Sequence, residues 1–266
     1  MKPLKQLIKS PLITVLLLVA PFVGAESIKV GVITGKETEL AEAAALVAKE
    51  RYGLDVELLE FTDGVILNEA LDSGELDLNA FQHKPFLDEQ IEARGYKLVP
   101  VANTFVYPIA AYSENIKSLD ELKPGSTITV PMDPTNLGRS LLLLEKQNLI
   151  TLREGVGLNP TQIDIIDNPK NLNIVELEPP LLPASLEDDT VALSIINTSF
   201  STAIGLTPKK DGIFVEDKDS PYVNIIVARE ENKDNPEVKQ FIDSFQSDEV
   251  EQAADRLFEG SSVKGW

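Results

Sequence analysis

The side chains best suited to chemistry in this chain gather in Asp133-Pro134-Thr135-Asn136-Leu137-Gly138-Arg139-Ser140-Leu141-Leu142-Leu143-Leu144. Just before them, Thr127-Ile128-Thr129-Val130 is β-branched and half apolar, which suits a strand closed by Pro131. Asn136 is an N-cap candidate. Leu137 and Gly138 then open a helix, Arg139 sits in its first turn, and the leucines supply a buried face. Unpaired backbone N–H groups, the positive end of the helix dipole and a guanidinium meet there. Together they make a site for a small anion, most naturally a carboxylate. The same residues also describe a capped surface helix with a solvated arginine.

Three other places carry chemistry. In Asn79-Ala80-Phe81-Gln82-His83-Lys84-Pro85-Phe86, two aromatics and the only histidine crowd a strand-to-helix loop, where a solvated turn is normally rich in Gly or Ser. The alternative is that Phe81 and Phe86 are core residues and His83 caps the helix. Asn197 closes an apolar strand and can offer its amide oxygen to an ammonium group, or cap the helix that follows. Asn224 interrupts the apolar run Tyr222-Val223-Asn224-Ile225-Ile226-Val227. A buried amide without partners costs on the order of 1–3 kcal/mol, so Asn224 is either a structural link or a ligand contact.

Much other chemistry is excluded. There is no cysteine, which removes disulfides, thiolate catalysis and thiolate metal sites. A single histidine excludes an imidazole-rich metal centre, so neither metal nor cofactor is expected. A net charge of −19 repels nucleic acid and anionic lipid. Gly31-Val32-Ile33-Thr34-Gly35-Lys36 resembles a phosphate loop but is one residue short between its glycines, and Glu37 stands where Ser or Thr would bind magnesium. The dinucleotide, nucleophile-elbow and zinc-protease motifs are absent. Paired carboxylates are uninformative among 43 acidic residues. A binding protein is expected rather than an enzyme.

The elements that must position these residues alternate. After lysines at 2, 5 and 9, an apolar run over 12–23 and the small residues Val23-Gly24-Ala25 read as a signal peptide, residues 1–25, exporting the chain. Strands are predicted at 28–33, 55–59, 76–79 and 97–103, with helices at 37–52, 65–71 and 85–94 between them. A second series holds strands at 107–112, 127–130, 163–166, 172–177, 191–196 and 222–228, and two acidic amphipathic helices follow at 236–246 and 248–258. This pattern predicts an α/β protein of two lobes, each a mostly parallel sheet flanked by helices, with the ligand in the cleft. The lobes are expected at 26–106 plus 223–266, and at 107–222. In open α/β sheets ligands sit beyond the carboxyl ends of the strands, which selects the loops 34–37, 79–85, 103–108, 131–139 and 197–199.

The densest stretches, residues 79–85, 103–110 and 133–144, together with Asn168-Pro169-Lys170-Asn171-Leu172, Gly205-Leu206-Thr207-Pro208, Asp211-Gly212-Ile213-Phe214-Val215-Glu216-Asp217 and Val263-Lys264-Gly265-Trp266, resemble the methionine-binding lipoproteins of the NlpA type. Those proteins are substrate-binding subunits of a bacterial methionine ABC importer. The resemblance implies a type II periplasmic-binding-protein fold that closes on one free amino acid. It implies that Arg139 pairs with the ligand carboxylate, that Asn197 and Asn224 hold its ammonium and carboxylate ends, and that Phe81 and His83 line the side-chain pocket. Asn136, Phe86 and Gly64 complete the candidate set. The partners implied are methionine (L or D) or a close analogue and a membrane ABC permease, with the chain acting as a monomer.

The chain departs from the family in three ways. It lacks the lipid-modified cysteine, so a periplasmic protein without a lipid anchor is expected. Gly64 stands where relatives often place a pocket tyrosine, which predicts a larger pocket. Phe86 replaces a second tyrosine and removes a hydroxyl. A methionine-containing dipeptide, another amino acid, or an envelope interaction role without a tight small ligand are the alternatives.

Overall fold

The computed structural model describes residues 27–217 and 220–266; the expected signal peptide lies outside the described residues. The first series runs β1 (Ser27–Ile33), α1 (Lys36–Tyr52), β2 (Asp55–Phe61), α2 (Gly64–Asp72), β3 (Leu78–His83), α3 (Lys84–Arg94) and β4 (Leu98–Val106). The chain then crosses to β5 (Ala110–Tyr112), β6 (Thr127–Pro131), α4 (Pro134–Lys146), β7 (Thr151–Leu152), β8 (Ile165–Asp167) and β9 (Asn173–Leu177). Next come α5 (Leu182–Ser185), β10 (Val191–Ile196), α6 (Thr198–Ala203), α7 (Pro208–Asp211) and β11 (Phe214–Val215). It crosses back into β12 (Val223–Arg229), α8 (Pro236–Phe245), α9 (Asp248–Leu257) and β13 (Val263–Lys264).

These strands build two large sheets, in the orders β13-β4-β12-β3-β1-β2 and β11-β5-β10-β6-β9. Each sheet is completed by a strand that follows a crossing: β12 inserts between β3 and β4, and β5 lies beside β10. The expected two-lobed α/β class therefore stands. The sheets are mixed, with β1–β2, β1–β3, β6–β9 and β6–β10 parallel. β12 runs antiparallel to both neighbours and β5 to β10, because each enters its sheet from the opposite lobe.

Periodicity explains the cores. Leu40, Ala41, Ala44, Val47 and Ala48 form one stripe on α1 and are buried against Val30 and Val32. Phe241 and Phe245 of α8 and Ala253 and Ala254 of α9 share that core, so the two acidic terminal helices cover the first lobe, as their amphipathic pattern predicts. In the second lobe Leu137, Leu141 and Leu144 pack on Ile128, Val130, Leu193 and Ile195. Each such side chain contributes about 1.5–3 kcal/mol by leaving water. One predicted strand is displaced: residues 162–164 form a short 3₁₀ turn, and β8 pairs only with β7, outside both sheets. Its Ile163 is 84% exposed, since the β-branched run finds no sheet face to cover.

Gly138 lets the 158–160 loop lie directly on α4. A Cβ there would stand 2.5 Å from the Leu158 carbonyl oxygen and 2.8 Å from Asn159 Cα. Both are backbone atoms that cannot swing aside. Gly138→Ala is therefore expected to destabilise the fold by about 1–3 kcal/mol, measured by urea unfolding.

Candidate functional site

The eight residues singled out from the sequence (Gly64, Phe81, His83, Phe86, Asn136, Arg139, Asn197 and Asn224) all border one cavity between the two sheets. Its volume is about 130 Å³. That holds on the order of ten water-sized centres, the scale of a free amino acid. The expected loops contribute unevenly. Residues 34–37 do not line the cavity, although Ile33 before them does. Residues 62–65 and 178–180 do line it, and of these the sequence reading named only Gly64. Both follow parallel strands, β2 and β9, so the carboxyl-end rule contained the signal.

Arg139 differs most from expectation. Helix α4 begins at Pro134 and is capped by Asp133, whose carboxylate accepts the Asn136 backbone N–H at 2.9 Å. Asn136 is thus inside the helix, not its cap, and Arg139 lies a turn further in, away from the free N–H groups. Proline preorganises the first helical position, which is why the helix starts earlier than the leucine pattern suggests. What holds Arg139 is an internal carboxylate. The guanidinium is 3% exposed, and its Nε donates to Glu216 Oε1 at 2.9 Å. Nη2 donates to Glu216 Oε2 and, at 3.0 Å, to the Tyr107 carbonyl. The Tyr222 ring lies 4.5 Å from the guanidinium carbon, a cation–π contact. Nη1 has no hydrogen bond to any described residue.

Around Arg139 runs a chain of amides. The Phe86 N–H donates to His83 Nδ1 at 3.1 Å, which leaves the proton on Nε2. That nitrogen donates to Asn136 Oδ1 at 3.1 Å, and Asn197 Nδ2 donates to the same oxygen at 2.8 Å. Asn136 Nδ2 in turn donates to Asp133 at 3.0 Å. His83 therefore both caps α3 and lines the cavity. Burial, and then the Arg139 charge, pushes its pKa down to about 3, so the ring is neutral. Asn197 occupies the cap position of α6, but its side chain does not cap. Its Oδ1 is buried without a partner among the described residues.

Phe81 is placed by a β-bulge. Ile225 pairs with Gln82 and Ile226 with Ala80, so Phe81 is the extra residue between them. Its carbonyl, out of the ladder, accepts Asn224 Nδ2 at 2.8 Å, which makes Asn224 a structural link as well as a lining residue. The ring meets Phe86 edge to face, with centroids 6.1 Å apart. The expected extra room at Gly64 is not left open: the Phe81 ring lies over it.

Sequence reasoning also missed Glu37, a fully buried acid in the first turn of α1. Its Oε1 accepts the Ser199 hydroxyl at 2.7 Å, a bond from one lobe to the other, and Oε2 has no partner among the described residues. Burial raises its pKa to about 8, with the Ser199 bond opposing.

With this geometry in view, the comparisons with known proteins place the chain. A family model described as NlpA lipoprotein matches residues 28–266. The chain belongs to the NlpA lipoprotein family. The D-methionine-binding lipoprotein MetQ of Salmonella typhimurium is 66% identical over 239 residues, which are 90% of this chain and 88% of that protein. A crystal structure of the methionine-binding protein MetQ, 64% identical, superposes with a TM-score of 0.89 over 90% of this chain and 98% of its own. A nutrient-binding protein from Burkholderia cenocepacia solved with methionine bound is 45% identical, with a TM-score of 0.87, over 90% of this chain and 100% of its own.

These names overturn one expectation. The family is one of lipoproteins and the relatives carry that word, so the inference of a protein without a lipid anchor is corrected to membership of a lipid-anchored family. That inference rested on the missing cysteine alone.

Two outcomes follow from the charges. Glu216→Ala leaves a buried guanidinium without its carboxylate and is expected to destabilise the protein by about 3–5 kcal/mol in urea unfolding. Between Glu37's unfolded value of 4.5 and its folded value of about 8, the folded state keeps a proton that the unfolded state has lost. Stability therefore falls as pH rises through that window, by up to about 1.4 kcal/mol per pH unit. Glu37→Gln is expected to flatten that slope, measured by unfolding at about pH 5 and about pH 8.

Proposed function

We propose that this chain captures methionine, L or D, or a close analogue in the interlobe cavity and delivers it to a membrane ABC importer. The observation that carries the reading is the buried, unpartnered Asn197 Oδ1 in the wall of the cavity that Arg139 also borders. An acceptor kept dry without a donor asks for an ammonium, and the remaining guanidinium nitrogen asks for a carboxylate. A free amino acid supplies both. Phe81, Phe86 and the neutral His83 offer its side chain a polarizable aromatic surface, which suits a thioether.

The ligand is a net-neutral zwitterion, and the Arg139 charge is already balanced by Glu216. Recognition then depends on hydrogen-bond placement and desolvation more than on net attraction. The names of the relatives support the same ligand class. The protein acts by binding and release rather than turnover, as a monomer. Residues 26–106 with 223–266 are one closing lobe and 107–222 the other.

Isothermal titration with L- and D-methionine tests the reading. Saturable one-to-one binding and a raised melting temperature are expected for at least one isomer. Asn197→Leu removes one charge-assisted hydrogen bond and is expected to weaken binding about 10- to 100-fold. A screen of amino acids and short peptides with no heat and no thermal shift would leave an envelope interaction role instead.

A further inference from the structure

We infer that Gly64 sets the length of side chain this site accepts, acting through the ring of Phe81; the inference rests on the amino-acid reading above. Gly64 opens α2, where Asp63 caps the helix by accepting the backbone N–H groups of Val65 and Ile66 at 2.7 and 3.1 Å. Its backbone is outside the left-handed region, so the conformation does not call for glycine. Space does. A Cβ on residue 64 would stand 2.5 Å from Phe81 Cε2 and 3.2 Å from Cζ.

The backbone of Phe81 cannot retreat, because its bulge is pinned by the Asn224 amide on its carbonyl. The ring must therefore turn about its side-chain bonds. Phe86 already meets it edge to face, and the adjoining empty space is the cavity that Phe81 and Gly64 both line. Any side chain at 64 drives the ring into the ligand's room. Glycine lets the ring lie aside, so the pocket is lengthened at second hand, by the place it gives to Phe81. The substrate class is a linear α-amino acid whose side chain is at least as long as that of methionine, including its S-ethyl homologue.

The experiment titrates purified protein, its Gly64→Ala variant and the Gly64→Ala/Phe81→Leu double variant with methionine and with ethionine, its S-ethyl homologue. The wild-type protein is expected to bind the two within about threefold of each other. Gly64→Ala is expected to weaken ethionine at least tenfold more than methionine, the scale of one methylene in a tight pocket. Shortening the ring in the double variant restores ethionine. Unfolding of each variant without ligand reports its fold separately, and the ratio of the two affinities is unaffected by a general loss of stability. Equal weakening of both ligands, no change in either, or no rescue by Phe81→Leu overturns the inference while methionine binding stands. Failure of the wild-type protein to bind either compound overturns the underlying reading instead.

Discussion

The arrangement depends on a guanidinium buried against a carboxylate at the place where the chain passes between lobes. Arg139 projects from α4 of the second lobe and hydrogen-bonds the Tyr107 carbonyl in the first crossing and Glu216 in the second. Its charge is thereby satisfied without a ligand, which a buried cation requires. The same contacts fix the direction of the one nitrogen that remains. Arg139 thus ties the wall of the cavity to both crossing segments.

Around that pair runs a network of neutral side chains tied to the Asp133 carboxylate, in a cavity that Asp63 and Glu178 also line. His83 is kept uncharged by burial and by Arg139, and its ring donates into the Asn136 amide rather than facing a carboxylate. Asn136 is saturated by His83, Asn197 and Asp133, so it positions its neighbours. Asn197 is the incomplete member, with one donor used and its acceptor idle. Such a network is selective, because a ligand that lacks the matching donor leaves the Asn197 acceptor, unpaired among the described residues, dry.

The acidic surface and the paired charges of the interior are separate matters. The net charge of −19 is carried by exposed side chains such as those of α8 and α9, whose apolar faces close the first lobe. Glu37, like Glu216, is an acid held inside, at the meeting of α1 and α6. It has no apolar replacement there that would also accept the Ser199 hydroxyl.

The sequence by itself determined what depends on near neighbours. The stripe on α1, the leucines of α4 and the β-branched runs of β6 and β10 follow from periods of 3.6 and 2, and they indicated an α/β protein of two lobes. Asn197 and Asn224 were legible because a polar side chain stands out at the end or middle of an apolar strand. The tertiary structure decided what depends on distant pairings. Arg139 is one of 24 bases and Glu216 one of 43 acids, 77 positions apart, and nothing local selects that pair. The bulge at Phe81 arises only when β12 arrives to pair with β3, and the close seat of its ring on Gly64 only when α2 packs over that bulge. Local periodicity carries no information about which remote group will share a dry space, so the site's charge balance and its shape appear only once the chain is folded.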